Sequence, residues 1–303
     1  MFDQQGCFHD MPHPNYRELA GCVTLECFFP FASGGNANIY RGRLQLSDIH
    51  SICVAIKMIR LPEDEDAEHV ERRLRREVTI WQGLKHKNVL PFFGLSEDVA
   101  PRPVLISLLC EFGHIATYLK THPWANRAEL VYGVTSGLRY LHGNDIVHGD
   151  LKVQNVLVDP NGVPCICDFG FSKIITRAGF TTFSIGTIPY LAPELFVVLN
   201  AETTDFTPPR TTKCSDVYSL ALLILETLTS ERLKARPREA FLKREDLDGI
   251  RPRREDYESH KVASKMWDLL DRCWAFDPQC RPTAAQILAS LPLVEFRCED
   301  AKL

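Results

Sequence analysis

The sequence lacks any apolar stretch long enough to cross a bilayer. Its longest, "LALLILETL", covers nine residues, against the roughly 20 that a transmembrane helix requires. The opening "MFDQQGCFHDMPHPNYRELAG" has no apolar core of the kind a secretory signal carries. No CxxC pair occurs among the 11 Cys. Cys22 and Cys27 lie close together but have no second pair or His cluster to complete a zinc site. An odd number of thiols without such a pattern predicts reduced, buried cysteines packed as small hydrophobes. An excess of one charge sign is lacking too: net charge is −4 and the pI about 6.2, which argues against broad nucleic-acid or membrane binding. These features predict a cytoplasmic protein, with the nucleus also open, that has no membrane segment and no nucleic-acid partner. Internal repeats are absent as well.

What is present is an ordinary globular composition, 45% hydrophobic and 24% charged, over 303 residues. That length fits one large domain or two lobes. Residues 1–18 mix Pro, His, Gln and Asp without periodicity and predict a flexible lead-in. From Leu19 to about Ser107 the pattern is mainly that of strands. In "ICVAIKMI" (52–59), Ile52, Val54, Ile56 and Met58 face one way, and Cys53, Ala55, Lys57 and Ile59 the other. An acidic stretch follows, then Val70, Leu74, Val78 and Trp81 at helical spacing. Its charges read as a solvated face ordered along the helix dipole. Glu77 differs, because its spacing from Leu74 and Val70 turns it toward the packed side. "VLPFFG" and "VLISLL" read as further strands.

The remainder is mainly helical. "AELVYGVTSGLRYLHG" carries Leu130, Val134, Leu138 and Leu141 on one face, and "DVYSLALLILETL" is apolar on nearly every side, so it predicts a buried helix. Thr283 and Gln286 have the spacing of a capping box. Residues 200–213, with Pro208-Pro209, read as a surface loop. A small strand-rich part therefore precedes a larger helical one, and a cleft between two such lobes is a natural ligand site.

Four constellations carry chemistry. "FASGGNANIYRG" reads as strand–turn–strand, and its small residues let backbone N–H groups approach an anion, although a plain hairpin turn would use Gly34, Gly35 and Asn36 as well. Lys57 lies mid-strand in an apolar run and needs a partner or a ligand. Glu77 is the natural partner, and the pair alone reads equally as a structural salt bridge. "HGDLKVQN" sets Asp150, Lys152 and Asn155 in one short loop. "DFG" (168–170) follows the strand-like "PCIC". The Asn155 amide and the Asp168 carboxylate at these places can hold a hard cation together with phosphate oxygens.

With "GTIPYLAPE", "SDVYSLALLILE" and "CWAFDPQCRPT" these pieces resemble the eukaryotic protein kinases from about Leu19 to Phe296. The closing pattern is similar to the tyrosine-kinase-like branch of Ser/Thr kinases. The segment "RELAGCVTLECFFPFASGG" is similar to kinases abundant in mushroom-forming fungi. The resemblance implies an α+β, bilobal fold with a small antiparallel-sheet N-lobe carrying one main helix and a larger helical C-lobe. It implies a lead-in at 1–18, a kinase domain at 19–296 (N-lobe about 19–106, hinge 107–113, C-lobe 114–296) and a tail at 297–303.

It further implies ATP and Mg2+ as cofactors and proteins with Ser/Thr acceptors as substrates. Lys57, held by Glu77, would bind the α and β phosphates. Asn155 and Asp168 would ligate Mg2+. Asp150 would orient the acceptor hydroxyl and take its proton, and Lys152 would contact the γ phosphate. Ala32, Ser33, Gly34 and Gly35 fall in the phosphate-covering loop, with Ala32 and Ala37 in place of its outer glycines. Ile39 and Ala55 would line the adenine pocket from above and Leu157 from below. Ser107 falls at the gatekeeper position, with Leu108 to Cys110 at the hinge. Glu194 and Arg281 would form a buried ion pair, and Asp216 would hold the catalytic-loop backbone. Thr187 would meet Asp150 and Lys152. Gly149 departs from the family: the usual Arg there pairs with a phosphate on the activation segment, so Thr176, Thr181, Thr182 and Ser184 would lack their main cationic anchor.

Two other readings compete. A pseudokinase scaffold is favoured slightly by Ala32, Ala37 and Gly149. A small-molecule kinase shares "HGDL" with the following Asn but lacks "APE", the "GT..Y" loop and the "RPT" ending. Substrate identity, peptide preference and oligomeric state leave no trace in the sequence.

Overall fold

The computed structural model describes residues 19–34, 37–60, 74, 77–169, 173–174, 188–197, 210–233, 251–260 and 262–291. They fall into two compact units. One comprises the described residues up to Glu111 together with Asp159–Gly162, and the other runs from Phe112 to Val158 and from Val163 onward. The division at Glu111 lies inside the segment expected to be a hinge.

The first unit is built on an antiparallel sheet of β1 (Val23–Leu25), β2 (Ala32–Ser33), β3 (Ala37–Ser47), β4 (His50–Ile59), β5 (Phe92–Ser96) and β6 (Val104–Leu108). The order is β1-β3-β4-β6-β5, with β2 also on β3. Alternation in β4 is as the sequence predicts: Val54 and Ile56 are wholly buried on one face, and Lys57 lies on the other. Gly42 on β3 is required by close packing. A Cβ there would stand 2.4 Å from Ile56 Cδ1 and 2.6 Å from Thr24 O.

Helical residues 77–81 pack against this sheet through Trp81. Its ring stacks on Phe92 at 4.8 Å, and its Nε1–H donates to Leu90 O at 2.6 Å. Leu74, Val78 and Trp81 are all buried, as their spacing predicts; Val70 lies outside the described residues.

The second unit contains α1 (Ile115–Thr121), α2 (Arg127–Gly143), α3 (Pro193–Val197), α4 (Lys213–Thr229), α5 (Ser264–Cys273) and α6 (Ala284–Ser290), with short strands β7 (Ile146–Val147), β8 (Val156–Val158), β9 (Pro164–Ile166) and β10 (Lys173–Ile174). β8 pairs with β9, and β10 with β7. The all-round apolar α4 is buried along nearly its whole length, as predicted. Thr212 caps its start in a capping box with Ser215, and Ser230 at φ +56° ends it. The predicted Thr283–Gln286 box opens α6. Among the described residues no helix is long and apolar enough to cross a membrane.

Two expectations need correction. The nine described cysteines are all free, but only Cys110, Cys165, Cys167 and Cys273 are buried. Cys27, Cys53 and Cys280 are exposed, because they sit on a loop, on a solvent-facing strand position and in a surface turn. The Glu194–Arg281 pair forms with two bonds of 2.7 Å. Only the arginine is fully buried, since the side chains are 27% and 0% exposed.

Candidate active site

The sequence-predicted site residues divide between the two units, and each unit holds its share by internal bonds. In the first unit, β2 and β3 form a hairpin with Ala32 opposite Ile39 and Ser33 opposite Asn38. The Gly34 N–H donates to Ala37 O at 2.9 Å, and the Arg60 guanidinium donates to Gly34 O. Ala32, Ser33 and Gly34 are exposed, whereas Gly35 lies outside the described residues. In this conformation the Gly34 N–H, one of those expected to meet an anion, is engaged by Ala37 O.

Lys57 stands on β4 opposite Ile39. Its Nζ lies 2.7 Å from Glu77 Oε1, with side-chain exposures of 17% and 2%. A carboxylate this deep requires a cation, because an unpaired buried charge is strongly destabilising. The pair presents an ammonium at the end of an apolar strand, suited to hold phosphate oxygens. Ala55 is opposite Ser107, and Val54 opposite Leu108. Ala55, Ser107, Leu108 and Cys110 are all buried. Burial, then the Asp159 carboxylate, push the Cys110 thiol up to about 12, which makes it a packed, inert thiol at neutral pH.

In the second unit the loop after β7 is organised from α4. Asp216, 1% exposed, accepts from His148 N at 2.8 Å and from Gly149 N at 2.9 Å. Gly149 has φ +81°, a left-handed conformation that glycine adopts without strain. The His148 ring ties this loop to the "DFG" segment. Its Nδ1 accepts from Asp150 N at 3.3 Å, so Nε2 carries the proton and donates to Cys167 O at 3.0 Å. The ring also meets Phe169 edge-on at 5.7 Å, and Phe169 is fully buried.

Asp150 is then fixed by two donors. Lys152 Nζ lies 2.6 Å from its Oδ2. Asn155 Nδ2 donates to the same oxygen at 3.0 Å and to Asp150 O at 2.8 Å. Both Asn155 amide hydrogens are thereby committed, so the amide oxygen is the atom left to meet a cation. This donor set fits Mg2+, a hard ion that takes carboxylate and amide oxygens. Cys167 N donates to Asn155 O at 2.9 Å, which sets Asp168 next in chain to the Asn155 backbone. Asp168 is a non-glycine residue at φ +66°, a strained conformation of the sort that clusters at functional sites. Leu157 on β8 is half-buried and bridges to His114.

Tyr190 donates its hydroxyl to Glu226. Burial, then the Glu226 charge, raise the Tyr190 phenol, and burial raises the Glu226 carboxyl. Sequence reasoning missed this pair, the His148 bridge and His142, which reaches Asp216 from α2. His148 had a signal in its position just before the Asp150 motif. The activation-segment residues Thr176, Thr181, Thr182, Ser184 and Thr187 lie outside the described residues.

Comparison with known proteins agrees with this organisation. Residues 33–291 match the model of the protein kinase domain. The chain is 31% identical over 266 residues to the serine/threonine-protein kinase STY17 of Arabidopsis thaliana, covering 86% of this chain and 43% of that protein. It is 29% identical over 272 residues to STY46 of the same plant, covering 86% and 42%. A probable serine/threonine-protein kinase of Dictyostelium discoideum, kinX, is 30% identical over 280 residues, covering 89% and 24%. The chain thus spans about a quarter to under half of the length of these relatives. By the domain match, and by two sets of site residues each held in place inside its own unit, the chain belongs to the protein kinase domain family.

Proposed function

We propose that the chain is an ATP- and Mg2+-dependent protein serine/threonine kinase. The observation that carries this reading is the Asp150 carboxylate held by Lys152 at 2.6 Å and by Asn155 at 3.0 Å. A pseudokinase needs none of the three. Mg·ATP supplies the transferable phosphoryl group and the neutralising charge. Lys57, Asn155 and Asp168 would hold it, with Ala32, Ser33, Gly34, Gly35, Ile39, Ala55, Ser107, Leu108, Cys110 and Leu157 around the nucleotide. Asp150 orients the acceptor hydroxyl and takes its proton at a carboxylate oxygen. Lys152 steadies that carboxylate and offers its ammonium to the transferring group. Lysine at 152 and the "CW..DP..RPT" ending support Ser/Thr acceptors and a place in the tyrosine-kinase-like branch, and the N-terminal segment supports a likeness to the kinases of mushroom-forming fungi. Composition supports a cytoplasmic setting.

The test is phosphate incorporation into a degenerate Ser/Thr peptide library by wild type and by Asp150→Ala. Transfer by wild type alone supports the reading, and equal incorporation by both would mean a contaminating kinase. A nucleotide-binding scaffold is the second reading. It is favoured by the Gly34 N–H being spent on Ala37 O, and it predicts a thermal shift with Mg·ATP but no transfer.

A further inference from the structure

We propose that the groove between α5 and α6 binds an acidic peptide segment, with Arg272 holding its carboxylate. The inference goes beyond the kinase reading and stands without it.

The groove measures about 580 Å3 and lies wholly in the second unit, a size usual for a ligand cleft. Leu269 and Arg272 come to it from α5, Gln286, Ala289 and Ser290 from α6, and Pro282 from the turn between them. Arg272 is left to the groove for a reason visible on its own helix. An arginine four residues after an aspartate ordinarily pairs with it. Here the Asp268 carboxylate is drawn off by Arg254 at 2.6 Å, and Asp271 meets the same guanidinium at 3.4 Å. Arg272 Nε donates to the Asp268 backbone oxygen at 3.4 Å instead. Its two Nη groups have no partner among the described residues.

The α6 side is polarised as well. In the capping box, Gln286 Oε1 accepts from Thr283 N at 2.8 Å and from Thr283 Oγ1 at 3.1 Å. A backbone N–H fixes which end of the amide is the oxygen, so the Nε2 hydrogens are the ones left to donate. Ser290 Oγ gives its hydrogen to Gln286 O at 2.8 Å and keeps its lone pairs to accept. Guanidinium and amide donors beside an accepting hydroxyl match a side-chain carboxylate together with a peptide N–H. A small inorganic anion would use the donors and leave Leu269, Pro282 and Ala289 uncovered.

The test is fluorescence anisotropy with three fluorescein-labelled octapeptide pools, random in Ala, Leu and Ser apart from a fixed central Glu, Gln or Lys. Wild type is expected to bind the Glu pool about tenfold more tightly than the Gln pool. Arg272→Ala is expected to erase that difference, and Arg272→Glu to prefer the Lys pool. Ala289→Trp, which fills the groove from an exposed helix position, is expected to weaken the Glu pool with Arg272 intact. Each variant changes a surface residue, so its Tm should stay within about 2 °C of wild type. Equal binding of the Glu and Gln pools by wild type overturns the inference, as does an unchanged preference in Arg272→Ala. Inorganic phosphate competing as well as the Glu pool would make the groove a small-anion site and overturn the peptide assignment. None of these readouts needs phosphate transfer, so a failure of the kinase reading leaves them intact.

Discussion

Lys57 Nζ and Glu77 Oε1 lie 2.7 Å apart, and the glutamate is 2% exposed. This pair joins the C-terminal end of β4 to the helix packed behind it, and its two partners are unequally buried. Removing the lysine strips a buried carboxylate of this cation, while removing both leaves an apolar gap. Lys57→Met is expected to abolish phosphate transfer and to destabilise the protein by about 3 kcal/mol. Lys57→Met with Glu77→Leu is expected to regain most of that stability and none of the activity. Thermal unfolding of the two variants checks this, and a double variant no more stable than the single one contradicts it.

Regulation is the second expectation. Gly149 offers no cation to a phosphate on the activation segment, so dephosphorylation should leave the rate within about twofold of the untreated enzyme. Phosphatase treatment followed by a peptide assay measures it. Loss of nearly all activity would show that another residue supplies the anchor.

Ser107 is buried opposite Ala55 and Phe92. On the proposed reading, a small side chain at this place would leave room beside the nucleotide. Ser107→Phe should weaken a bulky adenine-site inhibitor by about tenfold or more while leaving KM for ATP within about twofold. Competition assays on both proteins decide it. Equal loss of inhibitor and ATP would reject Ser107 as the residue that guards the site.

His114 caps α1, accepting from Thr117 N at 3.3 Å through Nδ1. Burial, then the Lys120 ammonium, lower its pKa from 6.5. The cap needs a neutral ring, and the helix N-terminus disfavours a cation. A histidine whose folded pKa is depressed contributes stability that is present above its unfolded value of about 6.5 and is lost as pH falls below it. The fall in Tm between about pH 7.5 and pH 5.5 should therefore be smaller in His114→Asn, which caps without titrating. Parallel melting curves for the two proteins would refute the cap.

Local features were the legible ones. Val54 and Ile56 announce their face by alternation, Leu74, Val78 and Trp81 by helical spacing, and Thr283 with Gln286 by the chemistry of a helix start. Glu77 could be turned inward on spacing alone. What remained hidden joins distant positions without any period. His142 meets Asp216 across 74 residues, Tyr190 meets Glu226 across 36, and His148 meets Cys167 across 19. Such bonds depend on how elements pack, which no local pattern records. The cysteines misled for a related reason: Cys27, Cys53 and Cys280 carry the composition of a core residue at solvent-facing places.

The φ of +81° at Gly149 bears on how readily such an enzyme could be rewired. Placing arginine there would push an L-residue into the left-handed region, at about 1–2 kcal/mol, on a peptide whose N–H must still reach Asp216. An arginine there would have to hold this same left-handed backbone while its N–H keeps the bond to Asp216. On the proposed reading, the bare position at 149 is what would free the chain from a phosphorylation switch.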